Sequence, residues 1–350
     1  MTREAMKKQW ESIPVVSKEM NMELTLSSGQ AFRWVQLEEE EEKVWAGTVG
    51  EKLFILRHHD DELQYRVATP TSDPSEDRQT LVDYFRLDVD LPSLYQQWSR
   101  DDNFRKKASC CQGIRLLQQP PLEALLAFIC SSNNHISRIS AMVLRLCERY
   151  GRFLGRIGDR DFHSFPTITS LVGVVKEAVL RDLGFGYRAR YVRESVEEVG
   201  RRGGETWLEL LRQQPYEDAK AELQQLPGVG SKVADCMCLM GLGHLGAVPV
   251  DVHMWRLVQR DYRVGGGSSS LTPAVYCRVG DKFREVFGET AGWAQAVLFT
   301  AELQMQKLGT QTGERRADKK TAGHKMPRKV RMPLSQDECQ DKRKTKRLKL

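Results

Sequence analysis

The pentapeptide Leu226-Pro227-Gly228-Val229-Gly230 separates two stretches of helical periodicity, about 216–225 and 231–242, and commits the chain to a helical hairpin over about 216–243. Its glycines permit positive φ. The freed backbone N–H groups at the start of the second helix are then placed to face an anion, most often a nucleic-acid phosphate. An ordinary tight connection between helices explains the glycines as well. Lys232 falls in the first turn of the second helix, with Ser231 or Gly230 as its cap, and Asp251 opens another helix nineteen residues later, after Val248-Pro249-Val250. An amine and a carboxylate are thus offered from two helix starts beside a bound backbone.

Each of these two residues has a plain role and a chemical one. Lys232 adds positive charge near a phosphate; as a free amine it is also a nucleophile able to attack a sugar carbon and form a Schiff base. An unperturbed lysine, with a pKa of about 10.4, is almost wholly protonated at neutral pH. The positive end of the helix dipole and partial desolvation would both favour the free amine. Cys236, four residues on, shares a helix face with Lys232 and is a candidate to share its proton. Asp251 suits the N-cap of the helix patterned by Val252, Trp255 and Val258, a role worth about 1 kcal/mol. An anion fixed there would also stabilise the cationic sugar that develops as a glycosidic bond breaks. The two roles are compatible.

Short alternating segments at 22–26, 31–35, 43–48, 53–56 and 63–68, separated by turns such as Ser28-Gly29 and Gly50-Glu51, predict an antiparallel meander. The five glutamates 38–42 read as a solvated hairpin tip. From about 76 the period becomes helical, with helices expected near 76–86, 104–111, 121–131, 135–150, 174–183, 187–201, 205–213, 216–225, 231–242, 252–261, 273–287 and 291–306. The expectation is an α+β fold. It comprises a β-rich N-terminal domain over 10–117, a large helical domain over 118–308, and a disordered basic tail over 309–350.

The net charge of +6 misrepresents the body of the chain, because residues 313–350 carry 14 Lys and Arg against 5 Asp and Glu and leave the remainder near −3. Nucleic-acid affinity in the body must therefore come from placed cations and helix starts, with the tail adding a nonspecific term. None of the eight cysteines forms a C-x-x-C pair, which argues against a zinc or iron–sulfur centre. No apolar run approaches the ~20 residues of a membrane span, and the charged start lacks a signal core. Free thiols in a reducing compartment are expected.

Leu226 to Gly230, followed by Lys232 and Ala234, resembles the helix-hairpin-helix motif, whose turn amides grip a DNA phosphate. Lys232 paired with Asp251 in Val248-Pro-Val-Asp-Val-His253 resembles the helix-hairpin-helix superfamily of DNA glycosylases, the lysine marking the branch that is also an abasic-site lyase. Within that branch, Ser28-Gly-Gln-Ala-Phe-Arg-Trp34, Phe128-Ile-Cys-Ser-Ser-Asn-Asn134, Gly186-Tyr-Arg-Ala-Arg-Tyr191, Asp251-Val-His-Met-Trp255 and Gly292-Trp-Ala-Gln-Ala-Val-Leu-Phe299 resemble the eukaryotic 8-oxoguanine DNA glycosylases. These segments are spread over about 22–300 and so span the expected folded body.

The resemblance implies a role for each matching residue. Lys232 would attack the sugar C1′ while Asp251 orients the attack and stabilises positive charge. The Gly29 carbonyl would accept the N7–H that distinguishes 8-oxoguanine from guanine, though a plain turn glycine is the simpler reading. Gln295 would read the Watson–Crick edge of a flipped base, with Phe299 stacked on one face and Cys236 on the other. On residues alone, Gln295 lies i, i+4 from Phe299 on an otherwise apolar helix and, if buried, needs a polar partner. Tyr187 would be the wedge entering the duplex, with Asn133, Arg138 and Arg188 on the cytosine left behind. Gly228, Gly230 and His253 would contact phosphate; a packed aromatic and a packed histidine are the plain readings of Tyr187 and His253. No cofactor or catalytic metal is implied, and a structural cation would sit on the carbonyls of Gln224, Leu226 and Val229.

The implied function is excision of 8-oxoguanine, and of formamidopyrimidine-guanine, from duplex DNA opposite cytosine, through a lysine Schiff base with associated β-elimination. The protein would act as a monomer, away from membranes. Arg315-Arg316, Lys319-Lys320 and Lys342 to Arg347 suggest nuclear import, with a mitochondrial form left open. A glycosylase for alkylated or mispaired bases would retain Asp251 without needing Lys232, Gly29 or Gln295. A non-catalytic helix-hairpin-helix protein would need Asp251 only as a cap. Three features depart from the family pattern: His135 where a third polar amide is usual, the connection Gly265 to Ser270, and the long basic tail. They leave the opposite-base contacts and the role of the tail open.

Overall fold

Leu53-Phe54-Ile55-Leu56 is buried at every position, so its strand must be covered on both faces rather than one. The computed structural model describes residues 10–39, 42–69, 73–264 and 270–321. Strands β1 (Glu11–Pro14), β2 (Val35–Glu39), β3 (Glu42–Val49), β4 (Lys52–His59) and β5 (Glu62–Val67) form an antiparallel sheet in the order β1-β5-β4-β3-β2. Gly47 pairs with Phe54, and Ala46 with Ile55. Phe54, Leu56 and Tyr65 pack on one face against Met22, Leu26, Leu81 and Phe85 from helices α1 (Met22–Ser27) and α2 (Pro74–Phe85). Val44, Ala46, Leu53 and Ile55 on the other face are covered by Leu154, Ile157 and Phe162 of a separate hairpin, β6 (Phe153–Ile157) and β7 (Arg160–His163).

The meander differs from expectation at its start. Residues 22–26 are the helix α1 and not a strand: Asn21 caps it, its side chain accepting from the Leu24 N–H at 3.0 Å, and Met22, Thr25 and Leu26 form its buried face. Residues 31–34 are loop, with only Val35 in β2. The middle of the glutamate run, 40–41, lies outside the described residues, and Glu39 pairs with Glu42 at its base. Strand β1, the β6–β7 hairpin and helix α3 (Leu91–Trp98) were not expected.

The remaining helices are α4 (Asp102–Ala108), α5 (Pro121–Ser131), α6 (Ile136–Tyr150), α7 (Ile168–Leu171), α8 (Glu177–Asp182), α9 (Arg188–Arg201), α10 (Glu205–Leu211), α11 (Tyr216–Leu223), α12 (Ser231–Met237), α13 (Val252–Tyr262), α14 (Pro273–Phe287) and α15 (Ala291–Thr321). The α+β expectation holds. Helix α5 is buried from Pro121 to Cys130, as befits a helix that is apolar all round but for Glu123, and packs against α6, α9, α10 and α12. The helix expected over 231–242 is α12 followed by a π-helical turn, Cys238–Leu242, closed by Gly243 at φ +88°. Helix α15 continues past 308 to Thr321, while residues 322–350 and the connection 265–269 lie outside the described residues. Among the described residues no helix is long and apolar enough to cross a membrane.

Candidate active site

The hairpin between α11 and α12 uses its two glycines differently. Gly228 adopts φ +79°, and a Cβ there would lie 2.7 Å from the Tyr191 Cβ, so conformation and space both demand glycine. Gly230 does not use positive φ, contrary to expectation: it sits at φ −90°, extended, with no atom within 4 Å of where a Cβ would stand. Its value is open space before the α12 amides. Ser195 of α9 fixes the turn from behind by donating to the Pro227 carbonyl at 2.7 Å.

Helix α12 lies against α5, and this packing carries Lys232 to the C-terminal end of α5. There the Lys232 Nζ donates to Ser131 Oγ at 2.9 Å and lies 5.4 Å from the centre of the Phe128 ring. Ser131 Oγ itself donates to the Phe128 carbonyl at 2.7 Å, leaving its lone pairs toward the amine. Cys236 is buried on the same side of α12. Burial pushes its thiol up to about 11 even though the Lys232 amine pulls it down, so at neutral pH it carries its proton beside Lys232. Asp251 caps α13, its Oδ1 accepting from the Met254 N–H at 2.9 Å, and lines the same cleft as Lys232 and Cys236.

That cleft measures about 760 Å³ including its open mouth, and it brings together Gly29, Lys232, Cys236, Asp251, Gln295 and Phe299. Gln295 is 5% exposed, and among the described residues no group hydrogen-bonds its amide. A buried amide facing an open cleft without a partner is suited to a ligand that supplies one. Gly29 takes φ +84°, with Ile136 closing the space where a Cβ would stand. Its loop is held rigidly. Gln30 donates to the Arg115 carbonyl at 2.9 Å and accepts from the Leu117 N–H at 3.0 Å, while buried Arg33 pairs with Glu123 at 2.8 and 2.6 Å. His253 packs edge-on against Phe299 with ring centres 6.5 Å apart, its Nδ1 buried and unpartnered.

A second, wider opening adjoins the cleft and is shared by Asn133, Gly230, Lys232, Asp251, His253 and Arg256. Asn133 adopts φ +48°, a left-handed conformation that asparagine tolerates better than most residues. Arg188 holds this loop: its Nη2 donates to the Asn133 carbonyl at 2.9 Å and to the Ser132 carbonyl, and its guanidinium lies 4.4 Å from the Tyr187 ring centre. At 3% exposure Arg188 braces the loop through Nη2, while its Nε is buried without a partner among the described residues. Tyr187 is half exposed and donates to the Ser132 carbonyl at 3.1 Å. Arg138 is exposed and, among the described residues, pairs with no carboxylate. His135 is the N-cap of α6, its ring nitrogen 3.4 Å from the Arg138 amide. Sequence reasoning missed Ser131 and the exposed Arg256. Ser131 lay within a quoted motif, but only the crossing of α5 and α12 gives it a partner.

The chain matches the family described as 8-oxoguanine DNA glycosylase, N-terminal domain, over residues 12–125. It matches the HhH-GPD superfamily base excision DNA repair protein over 126–273. It is 38% identical over 304 residues to the N-glycosylase/DNA lyase OGG1 of Arabidopsis thaliana, covering 85% of this chain and 82% of that one. It is 35% identical over 332 residues to the N-glycosylase/DNA lyase of Saccharomyces cerevisiae, covering 86% and 88%. Its fold is similar to the Clostridium acetobutylicum 8-oxoguanine glycosylase/lyase solved with double-stranded DNA containing cytosine opposite 8-oxoguanine. For that structure the TM-score is 0.73 and the identity 25%, with 85% of this chain and 99% of the other covered.

Proposed function

The chain belongs to the N-glycosylase/DNA lyase family of helix-hairpin-helix base-excision repair enzymes, and on that premise we propose that it removes 8-oxoguanine, and formamidopyrimidine-guanine, lying opposite cytosine in duplex DNA through a lysine Schiff base. The observation that carries this reading is one cleft in which the Lys232 amine, the Asp251 carboxylate, the unpartnered Gln295 amide, Gly29 and Phe299 converge from separate segments of the chain. An amine beside a carboxylate supplies the nucleophile and the countercharge. An unpartnered amide and an aromatic ring supply recognition of a flipped base.

In this mechanism Nζ of Lys232 bonds to C1′ as the C1′–N9 bond breaks, and the proton that the nitrogen sheds leaves on the base. Asp251 stabilises the positive charge that develops on the sugar. Opening of the sugar gives the imine, and loss of a C2′ proton expels the 3′ phosphate. Ser131 holds the nitrogen in line before attack, and the neutral Cys236 thiol adds no competing negative charge. The Gln224 and Val229 carbonyls accept no described amide, whereas the Leu226 carbonyl takes the Val229 N–H at 3.1 Å. A hard cation would fit against the two free carbonyls; it would fix the hairpin and take no part in the chemistry.

Gly228, Gly230 and the exposed Tyr187 and Arg256 would face the DNA, the protein acting as a monomer. The basic clusters of the tail would direct it to the nucleus. Arg138 donates to acceptors on an orphaned cytosine, and Asn133, braced by Arg188, offers both donor and acceptor; adenine presents a different edge and a larger ring. One unpaired buried group costs about 1 to 3 kcal/mol, roughly fivefold to more than a hundredfold. Single-turnover excision of 8-oxoguanine should therefore be faster opposite cytosine than opposite adenine by at least about fivefold. Arg138→Ala or Arg188→Ala should narrow the gap. Equal rates from the two duplexes would refute the assignment of these residues.

A further inference from the structure

Asp235 takes no part in the reaction as described, yet it stands on α12 three residues beyond Lys232 and is 0% exposed. Three side chains meet its carboxylate. Lys220 of α11 donates at 3.0 Å, Tyr216 of α11 at 2.6 Å and Tyr276 of α14 at 2.6 Å. Burial and the neighbouring carboxylate both push the two phenols above their ordinary range, so both remain protonated donors at physiological pH. The Tyr276 hydroxyl has a second bond, accepting from the Val250 N–H at 3.3 Å. Val250 immediately precedes Asp251. One buried cluster thereby joins α11, the Lys232 helix α12, α14 and the segment that delivers Asp251.

Stability alone does not call for this arrangement, because a buried ion pair is often no better than well-packed apolar side chains of the same volume. What an apolar cluster would lack is directional bonding from the Lys232 helix to the Asp251 segment. We propose that Asp235 and Tyr276 are positioning residues that fix the placement of Lys232 relative to Asp251, with the Tyr276 hydroxyl as the specific link to Asp251, whereas Tyr216 and Lys220 satisfy the buried carboxylate from the α11 side. The inference rests on the reading of Lys232 and Asp251 as the reacting pair.

Two substitutions in the full chain separate the link from general support. Tyr216→Phe and Tyr276→Phe each remove one hydroxyl from the same carboxylate, but only Tyr276 touches Val250. Base release from an 8-oxoguanine:cytosine duplex, strand cleavage at a pre-formed abasic site, and thermal melting are measured for both. Absence of base release by the unaltered protein would count against the proposed function itself, before the variants are compared. Given that release, Tyr276→Phe should slow it by about three- to tenfold, the effect of one hydrogen bond. Cleavage of the pre-formed abasic site needs the Lys232 amine but no charge stabilisation at a breaking glycosidic bond, so it should stay within about twofold. Tyr216→Phe should leave base release within about twofold. Equal slowing by both variants, a parallel fall of both reactions with melting temperature, or no slowing by Tyr276→Phe would overturn the link.

Discussion

At Asp251 one carboxylate does two things, and the structure lets them be separated. Its Oδ1 accepts the Met254 N–H at 2.9 Å, and asparagine caps helices as well as aspartate does. Asp251→Asn should therefore keep the melting temperature within a few degrees of the unaltered protein while base release falls by about a hundredfold or more, as expected on losing a charge aimed at a developing cation. An activity loss that tracks unfolding would reduce Asp251 to a cap. Lys232 and Asp251 were legible because turn and cap chemistry places them from local sequence alone. The bracing contacts of Arg188 were not, because nothing local says that its guanidinium turns inward onto the Ser132 and Asn133 carbonyls. Gly230 was misread for a related reason: the string Gly-Val-Gly suggests positive φ at both ends, and only Gly228 needs it.

Among elements, those with one strong period were read well and those decided by a cap or a distant partner were not. Met22-Glu-Leu-Thr-Leu26 alternates like a strand, yet the Asn21 cap and the burial of Met22, Thr25 and Leu26 on one side make it a helix. The β6–β7 hairpin is short and charged, and it becomes a stable element only by covering the outer sheet face through Leu154, Ile157 and Phe162. The far end of α13, whose start bears Asp251, is tied down by ions: Lys107 of α4 and Arg260 bond Asp261, and both reach Glu302 of α15. For Asp261, burial alone would raise the carboxyl, but hydrogen bonds from Arg260 and Lys107 outweigh it and the net shift is downward; Glu302 is lowered chiefly by its hydrogen bond from Arg260. Both carboxyls thus bind protons more weakly in the fold than in the unfolded chain. Their contribution is complete above the ordinary carboxylate range and is lost as pH falls through the lowered folded values. Melting temperature should be flat above about pH 5 and fall below about pH 4. Glu302→Gln should make that acid-side fall shallower, and an unchanged acid slope would show that the cluster is not responsible.

On the scale of the whole molecule, charge and chemistry are kept apart. The body is near neutral, and the excess of basic residues lies in 313–350. Deleting 313–350 should flatten the salt dependence of DNA binding and reduce nuclear entry while leaving excision at saturating protein unchanged. An unchanged salt slope with unchanged nuclear entry would leave the tail without either role. The gathering of Gly29, Lys232, Asp251 and Gln295 into one cleft is a property of the fold, which local sequence implies only through resemblance. Whether that cleft performs lysine chemistry is decided by borohydride reduction of the protein mixed with an 8-oxoguanine:cytosine duplex. The unaltered protein should be trapped covalently on the DNA, and Lys232→Gln should bind the duplex without being trapped or releasing base. Absence of a covalent adduct with the unaltered protein, or an undiminished adduct with Lys232→Gln, would contradict the account.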